Sequence, residues 1–254
     1  MNQRHLATFI FLFFGFLLWS DFVYSQSAVD SILEEGDDLI SMEDYKAAEE
    51  KYDEALDRYE EYIPALKAKI RVLLLRDKNN RARRMAEESL EKHSEGSAAF
   101  HAYIGEALMG SEDYKDAVDH LDDALEMADK SDNQLIYRIF VNRGAVLQKL
   151  DNYEEALTNY SKALDIDQSN PNVFVYRGNL YYKRENYKKA LADFKKVLEL
   201  DPNNHVAQYN LGMCYFRQDD KMDACDAFHK ACELGNKNAC QMVVSKCLRN
   251  NETQ

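Results

Sequence analysis

Cys214, Cys225, Cys232, Cys240 and Cys247 are the only cysteines of a 254-residue chain, and all lie near its end. Cys225, His229 and Cys232 stand at i, i+4 and i+7, a helical spacing from which thiolates and an imidazole could reach zinc, with Cys240 as a fourth ligand. The competing chemistry is oxidation. Cys225 and Cys232 are seven apart, as are Cys240 and Cys247, so each pair shares one helix face two turns apart. If the Leu234-Gly235-Asn236 turn folds the two segments antiparallel, Cys225 faces Cys247 and Cys232 faces Cys240. The Cys225–Cys247 disulfide is favoured because it would staple a terminal helix that has one neighbour, stabilising by about 3 kcal/mol. Cys232–Cys240 is the second candidate pair, and Cys214 is left as a small buried apolar residue.

Little else in the sequence offers chemistry. It has no Cys-x-x-Cys, Gly-x-Ser-x-Gly, phosphate-binding loop or His-Glu-x-x-His, the spacings that nucleophilic, phosphoryl and zinc catalysis require. His93, His101, His120 and His205 are isolated, and the many Asp and Glu follow exposed helical phases. No catalytic residue, cofactor or metal is expected. A formal charge of −13 repels phosphates and anionic lipid, so neither nucleic acid nor an acidic membrane is an expected partner.

The N-terminus carries a separate signal. Arg4 and His5 precede an apolar run from Leu6 to Trp19, with Ser25 at a cleavage position, the layout of a secretory signal peptide over residues 1–25. The run falls short of the roughly 20 residues that span a bilayer. Cleavage would leave no integral membrane segment and deliver the cysteines to an oxidising compartment.

The elements that position these residues follow from an internal repeat. Gly36, Gly105, Gly144, Gly178 and Gly212 each stand 12 residues before an alanine: Ala48, Ala117, Ala156, Ala190 and Ala224. Ile70 and Ala82 take these places in a sixth unit. A helix-interior Gly costs about 1 kcal/mol relative to Ala. Its recurrence at a period near 34 therefore implies a steric need, read here as close approach of Gly on one helix to Ala on an antiparallel partner. Asp44, Asp113, Asn152, Asn186 and Asp220 recur at a phase suited to capping the second helix of each hairpin. Pro64 and Pro171 open first helices, and Pro202 ends a second one. About five extra residues around Asp129 to Gln134 read as a lengthened second helix or a longer loop.

The segment PNVFVYRGNLYYKRENYKKALADFKKVLELDPNN, residues 171–204, resembles the tetratricopeptide repeat, with Phe174, Gly178, Tyr181, Ala190, Phe194 and Pro202 at signature places. Val197 stands where Ala is usual. The second unit departs most, with Ile70 for Gly and Ala86 for a large aromatic. The resemblance implies an all-α, right-handed α-solenoid of six helical hairpins over 26–238, with repeats 29–62, 63–97, 98–136, 137–170, 171–204 and 205–238. A C-terminal capping helix and tail would follow over 239–254. In that frame His229 faces outward while the cysteines beside it face inward, which disfavours zinc.

The resemblance further implies a non-enzymatic scaffold that binds a protein or peptide segment in a groove lined by the first helices. The lining carried onto this chain is Arg138, Val141, Ala145, Gln148 and Lys149; Asn172, Val175, Asn179, Tyr182 and Lys183; and Val206, Tyr209, Met213, Phe216 and Arg217. Toward the N-terminus, Asp30, Asp37, Lys67 and Arg71 take equivalent places. The Lys and Asn pattern by which some family members hold acidic chaperone tails is not reproduced. The ending and the Val-Tyr-Ser-Gln cut resemble exported repeat proteins of Gram-negative bacteria, implying the periplasm or cell exterior. The alternative is a thiol or metal module built on the C-terminal Cys and His set.

Overall fold

The structure is a computed structural model that describes residues 28–247. The expected leader over 1–25 and the tail after Cys247 lie outside the described residues. Those described are helical, without a strand among them. Helix α1 covers 28–41 and α2 Tyr45–Arg58; α3 Ile63–Leu75 and α4 Asn79–Lys92 follow, then α5 Ser97–Gly110 and α6 Tyr114–Met127. Next come α7 Asn133–Lys149 and α8 Tyr153–Ile166, α9 Pro171–Lys183 and α10 Tyr187–Leu200, and α11 His205–Arg217 and α12 Lys221–Glu233. The described residues end with α13 Lys237–Met242, which runs into a π-helical turn at Val243–Cys247. It forms two compact units, one ending at Asp113 and one beginning at Tyr114. In the first, α3 packs on both α2 and α4, and α5 covers α4; in the second, each helix from α6 to α13 packs on the next.

One turn chemistry joins the two helices of each hairpin. Glu43, Asp77, Glu112, Asp151, Glu185 and Asp219 all have left-handed backbone, with φ between 54° and 66°. In each case the next N–H reaches back five residues, as from Asn186 to the Tyr181 carbonyl at 2.8 Å, satisfying carbonyls that the helix end would orphan. The residue that donates this bond also begins the second helix. Asp44, Asn186 and Asp220 accept there from Ala47, Lys189 and Asp223 N–H groups. Asn152 departs from the expected cap: its amide donates instead to Glu155, 2.8 Å away. None of the six left-handed residues is glycine, so each turn stores about 1–2 kcal/mol of strain that the packed hairpin must offset.

The recurring glycines seat aromatic rings. A Cβ placed on Gly36 would lie 2.5 Å from the Tyr52 ring, on Gly144 2.7 Å from Tyr160, on Gly178 2.9 Å from Phe194, and on Gly212 2.7 Å from Phe228. The nearest atoms thus belong to the ring sixteen residues on, while at Gly212 the carbonyl oxygen of the alanine twelve residues on, Ala224, also lies 3.2 Å away. Those alanines are nevertheless buried in the same interfaces. The second repeat keeps the sum of volumes while exchanging the sides: Ile70 takes the glycine place, Ala86 the ring place, and both are fully buried. A bulky aliphatic projecting from the first helix replaces a bulky ring projecting from the second.

The extra residues of the third-to-fourth repeat junction do not lengthen the second helix. Helix α6 has 14 residues, like α8 and α10, whereas α7 has 17. Its added turn begins at Asn133, where the Asp132 carboxylate accepts from the Leu135 N–H at 3.0 Å. A good cap supplied by the polar run allows the first helix to start a turn early.

Charge ties α2 to the second hairpin. The Glu49 carboxylate, buried on α2, accepts from Lys78 at 3.0 Å and also pairs with Arg76 and with Arg81 at 3.2 Å. Burial alone would raise its pKa, but the hydrogen bond from Lys78 and the charges of Lys78, Arg76 and Arg81 outweigh that and hold it below the usual value. A lowered folded-state pKa contributes stability that is complete above the ordinary glutamate value of about 4.3 and is lost as pH falls through the lower folded-state value.

Two tests follow from this packing. In urea unfolding, Ala86→Phe alone should destabilise by about 1–3 kcal/mol, and Ile70→Gly alone by about 2–5 kcal/mol. The double substitution should recover at least about 1 kcal/mol relative to their sum. Glu49→Gln should cost about 1–3 kcal/mol at pH 7, and its difference from the parent should shrink as pH falls below about 4.

Candidate functional site

The expected groove residues of repeats four to six lie on α7, α9 and α11, the first helices of three consecutive hairpins in the second unit. Their side chains divide into two groups with different surroundings. On α9 and α11 a polar row links neighbouring hairpins. Asn210 donates to the Asn179 amide oxygen at 3.0 Å, and Arg217 Nε donates to the Tyr182 hydroxyl at 3.1 Å. Tyr182 is held edge-on by Tyr187, with ring centroids 5.5 Å apart. Lys183 lies 4.3 Å from the Tyr153 ring centroid, donates to that hydroxyl and approaches Asp151 at 3.7 Å. The hydrogen bond to Tyr153 raises the Lys183 pKa above its ordinary value despite some desolvation, so the ammonium stays charged at neutral pH. Asn172, Asn179, Lys183 and Arg217 are exposed.

The α7 residues are more enclosed. Arg138, Val141 and Gln148 are half-buried. Gln148 accepts from the hydroxyl of Tyr160, the ring seated on Gly144, at 3.2 Å, and Val141 and Val175 pack against the apolar core. Toward the N-terminus, Asp30 and Asp37 accept from the hydroxyls of Tyr62 and Tyr52 at 2.6 and 2.8 Å. Their carboxylates are therefore committed to tyrosines.

Tyr209, Met213 and Phe216 differ from the expected open lining. They pack in one apolar cluster with Ala224, Phe228, Val243, Met242 and Cys247. Tyr209 lies 5.9 Å from Phe228, and the Lys246 ammonium sits 5.9 Å from the Phe216 ring centroid. The C-terminal segment thus covers the apolar end of the row. Sequence spacing assigned these three residues to α11 but could not show that the chain's own end reaches them.

The reason is the joint before α13. The second helices α2, α4, α8 and α10 end in extended or near-extended backbone, as at Tyr59, His93, Asp167 and Asp201. After α12, Gly235 instead adopts φ +92°, and Asn236 N–H bonds the Ala231 carbonyl at 2.9 Å. This is the tight turn used within hairpins. It brings Cys225 to Cys247 and Cys232 to Cys240, with Cα separations of 5.7 and 4.7 Å. Both candidate disulfides are present together, and the terminal helix begins at Lys237 rather than 239. With its sulfurs paired, the Cys225, His229 and Cys232 set has no free thiolate for a metal, and His229 is exposed. Cys214 is fully buried, and burial pushes its thiol up to about 12, far from the reactive range.

Comparison with known proteins agrees with this architecture. Tetratricopeptide repeat models match residues 67–132, 144–184, 171–204 and 194–226, together more than half of the chain. The chain belongs to the tetratricopeptide repeat family. No curated protein sequence matches it significantly. Among solved structures it is similar to pilF of Pseudomonas aeruginosa, at 18% identity and a TM-score of 0.71, covering 84% of this chain and 94% of that one. A segment of MamA from Desulfovibrio magneticus RS-1 is 26% identical with a TM-score of 0.56, covering 65% and 90%. YrrB, described as having an unusual peptide-binding site, is 22% identical with a TM-score of 0.58, covering 73% and 93%.

The cysteine geometry makes two measurable demands. Replacing Cys225 and Cys247 by Ser should lower stability by about 3 kcal/mol, and replacing Cys232 and Cys240 should cost less because that loop is shorter. Under native conditions a maleimide should leave Cys214 unlabelled, whereas after denaturation without reductant it should label one thiol per chain.

Proposed function

We propose that this protein is a non-enzymatic scaffold that works in the periplasm or cell exterior and holds a protein or peptide segment on the first helices of its second unit. Membership of the tetratricopeptide repeat family supports a protein interaction scaffold, since stacked hairpins of this kind present extended surfaces. The observation that carries the finer reading is the polar row on α9 and α11. Asn179, Lys183 and Arg217 are exposed, and their neighbours fix them across successive hairpins, so they offer hydrogen bonds from positions already ordered before a partner arrives. Tyr182 adds a ring whose orientation Tyr187 and Arg217 set. The apolar anchors Tyr209, Met213 and Phe216 serve the C-terminal cap instead, so recognition here is predominantly polar.

Export is supported by the Leu6–Trp19 leader and by four cysteines placed for pairing, an arrangement suited to an oxidising compartment. The site described for YrrB shows that a protein of similar fold can use its surface for a peptide. The thiol or metal alternative has less support, because the sulfurs it needs face one another.

The test is affinity capture of partners from the native envelope with the exported protein, compared with a Lys183→Glu, Arg217→Glu variant. The variant should keep its helical circular dichroism and lose its specific partner by at least tenfold. Equal capture by both proteins would remove this row from the binding surface. The N-terminus of the exported protein should read Gln26.

A further inference from the structure

Repeats four and five hold a second feature, lined by side chains of α8, α9 and α10 that the proposed partner surface does not use. A cavity of about 640 Å³ lies there in the second unit, within the size range of ligand sites. It is lined by Lys162 and Ser161 of α8, Tyr181 and Arg184 at the end of α9, and Lys189 of α10, together with Leu157 and the carboxylates Glu154 and Asp165. Repeat five is one of the few basic stretches of this acidic chain: residues 171–204 contain Arg177, Lys183, Arg184, Lys188, Lys189, Lys195 and Lys196 against Glu185, Asp193, Glu199 and Asp201.

We propose that this cavity binds the carboxylate of an acidic side chain, most simply a glutamate, from an acidic segment of a partner protein. Arg184 is neutralised by Glu154 at 2.6 Å. Lys162 and Lys189 have no carboxylate within ion-pair distance among the described residues; each lies over an aromatic ring, Phe140 and Tyr181, at 5.2 Å. A ring face attracts an ammonium but supplies no counter-charge, so both cations keep their capacity to pair. Ser161 adds a donor. Its oxygen accepts from Arg177 at 3.2 Å, which leaves its own proton to be given elsewhere. Arg177 itself is committed to Asp193 by two hydrogen bonds of 2.7 and 3.0 Å.

The lining charges select the ligand. Three cations against two carboxylates leave one positive charge, which a single carboxylate balances and a phosphate dianion would exceed. Leu157 and Tyr181 offer apolar surface for the methylenes of a glutamate side chain. Asp165 disfavours a second negative group at the same point and can accept a partner's backbone N–H. The chain's own net charge of −13 opposes non-specific capture of acidic proteins.

Fluorescence anisotropy of a fluorescein-labelled hexaglutamate peptide, titrated with the exported protein at low salt, tests the site. Saturable binding is expected, weakening as salt rises and absent with hexalysine. Lys162→Glu with Lys189→Glu should reduce affinity at least tenfold. Lys162→Arg with Lys189→Arg should retain most of it, and Ser161→Ala should lose a few-fold, each variant folded by circular dichroism. Lys183→Glu with Arg217→Glu should bind the peptide normally, which separates this site from the polar row on α9 and α11. No binding, or binding unchanged by the charge reversal, would overturn the proposal. So would tighter binding to phosphatidylglycerol vesicles or equal competition by millimolar phosphate. Concentration-dependent self-association abolished by the same charge reversal would assign the cavity to a second copy and likewise overturn it.

Discussion

A ring laid across a helix that offers it no side chain is the contact that fixes the hairpins of repeats one, four, five and six. Tyr52, Tyr160, Phe194 and Phe228 rest on Gly36, Gly144, Gly178 and Gly212, where any Cβ would stand within 2.9 Å of ring carbon. The glycine costs helix propensity, and the burial of a large ring outweighs it. Because the ring comes from the second helix and the seat from the first, the contact sets both spacing and register of the pair. Ile70 and Ala86 show that the requirement is a shared volume rather than a particular residue, since the same interface is filled from the opposite side.

The turns and the charges act within limits set by that contact. Glu43, Asp77, Asp151, Glu185 and Asp219 hold left-handed backbone, a conformation a free turn would leave, and they do so because the helices on either side are already clasped. Glu49 with its three cations then ties neighbouring hairpins of the first unit. In the second unit Arg177 and Asp193 join the two helices of one hairpin, α9 and α10. Burial raises the Asp193 pKa, against the pull of Arg177, so this pair, unlike Glu49, gives no stability that acid would remove.

At the C-terminal end the stacking rule is broken. A last hairpin would leave the apolar side chains of α11 and α12 facing water. Gly235 turns the chain back early, and the short segment from Lys237 to Cys247 covers Tyr209, Met213, Phe216 and Phe228 at close range. Two cysteine pairs compensate for the small area that so short a segment can bury. The row that stays exposed on α9 and α11, Asn179, Lys183 and Arg217, is polar and is ordered by contacts between hairpins.

Spacing in the sequence was enough to determine the hairpins, their phase, the caps at Asp44, Asn186 and Asp220, and the two ways the cysteines could face each other. Each of these depends on residues close in the chain or on a strict period. The sixteen-residue interval from glycine to ring is equally legible in the sequence, beside the shorter interval to alanine. Other features required the tertiary structure. Neither the early start of α7, the convergence of Arg76, Lys78 and Arg81 on Glu49, nor the covering of Tyr209, Met213 and Phe216 follows a period. Each depends on which long side chains meet once helices are packed, and a one-dimensional pattern assigns a residue to a face without saying what fills the space beyond it.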